Sequence, residues 1–161
     1  MKKIVCLIDD LCPGGAQRQL VGLAYLLKES GYDISVMTYH NDSFYMPVLS
    51  DNGIPHVYDS SFESPLRRIP LIASRIKKMA PDVVIAYQES PSLIACCSKL
   101  LSGRFILIVS ERNTTQYIGM NERLRFFLYK FADTIVPNSH SQEAFLRTHY
   151  PAFDKNICTI T

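Results

Sequence analysis

Short apolar runs alternate along the chain with stretches whose apolar positions recur at three- and four-residue spacing, a pattern that predicts strands and helices in turn. Lys3 to Ile8 is almost unbroken in its apolar character and rich in branched side chains, as a strand buried on both faces is. A loop, Asp9-Asp10-Leu11-Cys12-Pro13-Gly14-Gly15, follows it. Ala16, Leu20, Leu23, Ala24 and Leu27 then keep helical spacing up to a Ser30-Gly31 stop. Further strands are predicted over Asp33–Tyr39, Ile54–Tyr58, Val83–Tyr87, Phe105–Val109 and Thr134–Val136.

The helices between them carry recognisable punctuation. Leu66, Ile69, Ile72, Ile76 and Met79 share one face, with Pro70 either kinking that helix or marking its start. Ser90-Pro91 supplies an N-cap and a first-turn proline for a helix ending near Leu101. Asn121 is the expected cap of a helix carrying Leu124, Phe127, Leu128 and Phe131, and Ser139-x-x-Gln142 reads as a capping box for a last helix to about His149. The closing run Asn156–Thr161 predicts a seventh strand that stops without a turn, as if cut in mid-strand. The whole predicts an α/β fold: one domain over residues 1–161, a doubly wound, mostly parallel Rossmann-like sheet of about seven strands with helices on both faces.

Composition narrows the function classes. With 47% hydrophobic and 20% charged residues in 161, the chain can bury a core without disulfides or metals. A net charge of +2 lacks the basic footprint of a nucleic-acid binder, so no nucleic-acid partner is expected. The five cysteines, Cys6, Cys12, Cys96, Cys97 and Cys158, form no C-x-x-C pair and suit a reducing cytoplasm. No export signal follows Lys2-Lys3, because the apolar stretch ends at Asp9, so Asn41-Asp42-Ser43 and Asn113-Thr114-Thr115 are not expected to carry glycans. His40, His56, His140 and His149 show no ligand spacing, and no metal site is expected.

Candidate chemistry collects after the strands. Gly14 and Gly15 stand between a buried strand and a helix, where glycines allow a sharp turn and let a phosphate approach the exposed N–H groups of the helix start. A bare β-to-α turn explains them equally well. The loop is neither G-x-x-x-x-G-K-[ST] nor G-x-G-x-x-G, and the second strand ends Met37-Thr38-Tyr39-His40 with no acid for a ribose, so a nicotinamide or flavin cofactor is not expected. Glu111 and Arg112 follow the fifth strand at its carboxyl end, where open α/β sheets bind ligands; a surface ion pair is the plainer alternative. Gln88 and Glu89 after the fourth strand, and Asn138 and Ser139 after the sixth, face the same side; helix capping accounts for Ser90 and Ser139 without a ligand.

In this setting Pro13-Gly14-Gly15-Ala16-Gln17-Arg18-Gln19-Leu20 resembles the glycine loop of glycosyltransferase family 4, usually written GGAE before an apolar helix. Pro81-Asp82-Val83-Val84-Ile85-Ala86 and Ala132-Asp133-Thr134-Ile135-Val136-Pro137-Asn138-Ser139 resemble two further stretches of that family's N-terminal domain, in the same order across almost the whole chain. The resemblance implies one half of a GT-B architecture, in which the N-terminal domain binds the acceptor and a C-terminal domain, absent from this chain, binds the nucleotide-sugar donor. It implies retaining, metal-independent transfer with no cofactor, onto a saccharide or lipid-linked saccharide, as in cell-surface polysaccharide synthesis in a bacterial cytoplasm. Gly14 and Gly15 would then approach the donor diphosphate, and Glu111, Arg112, Gln88, Glu89, Asn138 and Ser139 would be acceptor-side candidates. Gln17 departs from the family's frequent glutamate, and Ser110-Glu111-Arg112-Asn113 stands where many members carry histidine.

Two basic clusters, Arg67, Arg68, Arg75, Lys77 and Lys78 on one helix and Arg123, Arg125 and Lys130 on another, are either solvated faces or a contact with an anionic bilayer at the inner face of the cell membrane. The rival from another class is a stand-alone Rossmann-like binding or regulatory domain with no transfer activity.

Overall fold

The computed structural model describes residues 1–112 and 119–160, without the side chains of residues 102, 121 and 155. The Asn113-Thr114-Thr115 tripeptide, the side chain of Asn121 and Thr161 lie outside that description. The elements run β1 (Lys3–Leu7), α1 (Gly15–Glu29), β2 (Asp33–Met37), α2 (Met46–Asp51), β3 (His56–Val57), α3 (Arg68–Met79), β4 (Val83–Tyr87), α4 (Glu89–Ser102), β5 (Ile106–Ser110), α5 (Met120–Tyr129), β6 (Thr134–Val136) and α6 (His140–His149). Short 3-10 helices lie at Ser60–Glu63 and Pro151–Asn156.

The strands form one six-stranded sheet in the order β3-β2-β1-β4-β5-β6, every pairing parallel. Side-chain alternation explains why the central strands read as continuous apolar runs. Ile4, Cys6, Ile8, Ile34, Val36 and Ile85 pack toward Leu20, Val21 and Ala24 of α1. Val5, Leu7, Val84, Ala86, Leu107 and Val109 pack the other way, against Ile72 and Ile76 of α3, Ile94 and Ala95 of α4 and Phe126 of α5. Both faces of β1, β2 and β4 are therefore dry, which only apolar residues at both parities allow, whereas on the α1 side of β5 Ile106 is exposed and Ile108 half-buried.

The structure differs from the sequence reading at several ends. Among the described residues six strands form where about seven are expected: Pro151–Asn156 turns as a 3-10 helix, and Ile157 adds a single parallel bridge, to Ile135. Pro70 marks a start and not a kink, sitting in the first turn of α3, while Leu66 lies outside the helix and is 94% exposed. Ser90 lies inside α4, whose N-cap is Gln88. Gly119 takes the cap position of α5, its N–H donating to the Glu122 carboxylate at 2.9 Å. Ser139 caps α6 as expected, its Oγ accepting from the Gln142 N–H at 3.3 Å.

Candidate functional site

The strand order reverses between β1 and β4. The chain leaves β1 for α1, whose residues pack on one face of the sheet, and leaves β4 for α4, which packs on the other, so a crevice opens at the carboxyl ends of the two strands. Four of the residues singled out above, Gly15, Gln88, Arg112 and Asn138, line an open cleft of about 530 Å³ there, together with Gln17 and Gln19.

The two glycines have different reasons to be glycine. A β-carbon on Gly14 would stand 2.2 Å from Oε1 of Gln17, whereas one on Gly15 would meet nothing within 4 Å. Gln17 is buried, and its Nε2 donates to Asp10 Oδ1 at 2.8 Å and to Cys12 Sγ at 3.4 Å, which fixes the loop. Neither glycine has a positive φ. The first turn of α1 has no side-chain cap and no acidic residue, so its N–H groups stay available to an anion.

Gln88 is the most strained residue of the cleft. Its φ of 75° and ψ of 174° lie in a region that glycine alone adopts freely. Its N–H donates to the Ser110 carbonyl at 3.1 Å, and with the amide nitrogen turned toward Asp9 its side chain donates to both carboxylate oxygens, at 2.6 and 3.1 Å. Burial, and then the neighbouring Asp10, push the Asp9 carboxyl above the usual carboxylate range. Asp10 moves the other way, because hydrogen bonds from Cys12 and Gln17 outweigh its own partial burial.

At the end of β5 two consecutive residues diverge. Arg112 lays its guanidinium over the Tyr87 ring, 4.3 Å from the centroid, and its Nη1 donates to Gln19 Oε1 at 2.9 Å. Asn138 Nδ2 holds the Arg112 carbonyl at 3.1 Å. Glu111 turns inward: it is wholly buried, accepts the Tyr129 hydroxyl and lies 3.7 Å from the Arg125 guanidinium. This corrects the expectation that Glu111 faces a ligand or pairs with Arg112 at the surface, because no surface of it reaches the cleft. Glu89 also points elsewhere, to an ion pair with Arg125 at 2.5 Å, and Ser139 is occupied by capping.

Asp9, Asp10, Gln17 and Gln19 complete the site and were not among the sequence candidates. The signal that could have found them is position, since the acids directly follow a buried strand and the glutamines belong to the helix the glycine loop opens. Among the described residues no three His, Cys, Asp or Glu side chains gather as a metal ion would need. No helix of the described residues is long and apolar enough to cross a membrane.

The fold and its cleft define a Rossmann-like α/β domain with a polar crevice at its switch point. Residues 13–161 match the model of Glycosyltransferase Family 4, and the chain belongs to that family. Among curated relatives, a Campylobacter jejuni enzyme, the GalNAc-alpha-(1->4)-GalNAc-alpha-(1->3)-diNAcBac-PP-undecaprenol alpha-1,4-N-acetyl-D-galactosaminyltransferase, is 25% identical over 98% of this chain and 45% of its own length. Among solved structures, Anabaena HepE in complex with UDP and glucose superposes with a TM-score of 0.78 at 18% identity, over 99% of this chain and 44% of that one. A glycosyltransferase from Rickettsia africae gives 0.77 at 19% identity, over 99% and 42%. The chain thus spans less than half the length of these relatives.

Proposed function

We propose that this domain is the acceptor side of a retaining glycosyltransferase that moves a sugar from a nucleotide-sugar donor to a saccharide or lipid-linked saccharide, in cell-surface polysaccharide synthesis. A second, C-terminal domain holds the donor and closes over the cleft. The observation that carries this reading is the cleft itself, where an uncapped helix start and a polar lining of Gln17, Gln19, Gln88, Arg112 and Asn138 stand at the switch point of the sheet. Amides and a guanidinium are the groups that pair with sugar hydroxyls, and the N–H groups opened by Gly15 suit the diphosphate of a donor. The UDP and glucose of the Anabaena complex and the undecaprenol-linked substrate of the Campylobacter enzyme support both halves of the reading.

A lipid-linked acceptor would bring the protein to the cytoplasmic face of the membrane. α5 supports such a contact: Met120, Leu124 and Phe127, spaced three and four residues apart, are 86%, 54% and 58% exposed, with Arg123 and Lys130 exposed beside them. One experiment tests both parts. The full-length protein is mixed with uridine-diphosphate sugars and a polyprenyl-diphosphate saccharide in vesicles with and without anionic lipid, and the product's anomeric configuration is read by NMR. The expected result is a product that keeps the donor's configuration, formed fastest on anionic vesicles. An inverted product would overturn the retaining mechanism, and no product with any donor would leave only a binding domain.

A further inference from the structure

Glu111 is an expensive residue to bury. A carboxylate taken wholly out of water costs several kcal/mol unless it is paired and hydrogen-bonded, and an apolar side chain would pack the same space at least as well. What distinguishes Glu111 is its connections. Its Oε1 accepts the hydroxyl of Tyr129, itself fully buried in α5, and its Oε2 faces Arg125 one turn earlier at 3.7 Å. Arg125 is 4% exposed and reaches on to Glu89 at 2.5 Å. Both ends of this chain of contacts are directly next to cleft residues: Glu111 precedes Arg112, and Glu89 follows the strained Gln88.

We propose that Glu111, Arg125 and Tyr129 are positioning residues for the acceptor cleft: anchored on α5, they fix the exit of β5 and the start of α4, so that Arg112 and Gln88 present their polar groups to the saccharide acceptor. The backbone supports this. Glu111 N–H donates to Val136 O at 3.0 Å and Gln88 N–H to Ser110 O at 3.1 Å, so β4, β5 and β6 are tied at the level where the side-chain network begins. Gln88 pays for its backbone angles, and a strained residue persists only where its surroundings over-determine it. Asp9 holds its side chain from one direction, and Glu89, gripped by Arg125, fixes the next residue from the other. The inference rests on the acceptor reading above for the identity of the ligand, though not for the existence of the network.

The test uses the full-length protein with three substitutions. Tyr129→Phe removes one hydroxyl and keeps the ring, Glu111→Gln keeps shape and an accepting oxygen without the charge, and Glu89→Gln alters the partly exposed end and spares the core. Melting curves select variants that stay folded. Two readouts follow: steady-state kinetics with acceptor and donor varied separately, and the Nε–H resonance of Arg112, assigned by its loss in Arg112→Lys and displaced by the Tyr87 ring. In Tyr129→Phe and Glu111→Gln, and in the same direction in Glu89→Gln, the resonance moves toward that of a free arginine, and acceptor kcat/KM falls, about tenfold in the first two, while donor KM stays within twofold. Because Tyr129 and Glu111 act through one bond, their double variant is no worse than the poorer single. An unmoved Arg112 resonance in folded variants overturns the proposal, as does a loss that falls equally on donor and acceptor. Should the wild-type protein transfer no sugar, the acceptor reading fails and the resonance alone decides on the network.

Discussion

Side-chain parity decides what the two residues after β5 do. Leu107 and Val109 are fully buried in the cluster that faces α4 and α5, and Glu111 continues that series two residues on. Ile106, Ile108 and Ser110 share the opposite parity with Arg112, which accordingly emerges beside Tyr87. The sequence thus contained the information that one member of the Glu111-Arg112 pair turns inward. It did not contain Tyr129 and Arg125 as its partners, which are brought there by a helix many residues away. Glycines carry a comparable distinction. Because Gly15 faces open space and has no positive φ, Gly15→Val should leave the melting temperature within about 2 °C, while sugar transfer by the full-length protein falls tenfold or more as the side chain enters the cleft. Gly14→Ala should behave in the reverse way, costing roughly 1 kcal/mol by displacing Gln17, and Gln17→Ala in the same chain should remove that added cost. Thermal melts of the two singles and the double measure it; a destabilised Gly15→Val would return that loop to a structural turn.

At the scale of elements, legibility follows how local the cause is. β1, β2, β4 and β6 are placed by apolar runs and α6 by a capping box, all readable within a few neighbours. The start of α4 is not, because its cap is a glutamine in a glycine-like conformation, held by Ser110 and Asp9 from distant parts of the chain. The expected seventh strand fails for a related reason. Thr159, on the segment after Ile157, spends its Oγ1 on Glu143 of α6, at 2.7 Å, and is not paired in a ladder. That contact yields a pH prediction. The hydroxyl of Thr159, then Arg147 and His140, hold the Glu143 carboxyl down from its ordinary value of 4.5 to about 2. A lowered acid pKa stabilises the folded form above the ordinary carboxylate range, and the contribution is lost as pH falls through about 2. A carbon-detected titration should place the Glu143 midpoint near 2 and see it rise in Thr159→Val; a wild-type midpoint near 4 would mean that the terminal segment does not dock on α6 in solution.

On the whole molecule three of the hollows among the described residues compete as binding sites, and size does not choose among them. One of about 680 Å³ lies between Ile76, Ala80, Pro81, Gly103, Arg104 and Phe105, at the amino ends of β4 and β5. Another, of about 660 Å³, is mostly apolar, runs along α1 over Leu23, Leu26, Ile85, Ile108 and Val136, and shares Gln19 and Arg112 with the cleft. The cleft at the carboxyl ends is smaller, about 530 Å³, yet it alone combines an uncapped helix start with amide and guanidinium groups. Lys77 and Arg104 bring positive charge to the amino-end hollow and Asp82 negative, but the ends of α3 and α4 present carbonyls there, whereas the start of α1 offers a phosphate N–H donors. The parallel order of all six strands makes this polarity a property of the sheet and not of any one loop. Adding a saccharide acceptor or a uridine-diphosphate sugar to the full-length, 15N-labelled protein should therefore shift the resonances of Gly15, Gln88, Arg112 and Asn138. Ala80, Gly103 and Arg104 should stay within error. Arg112→Ala should reduce the acceptor-induced shifts at Gln88 and Asn138 and leave those of the amino-end hollow as they were. Shifts concentrated around Arg104 would instead make the opposite edge of the sheet the binding face, and the polar cleft would then be a consequence of folding alone.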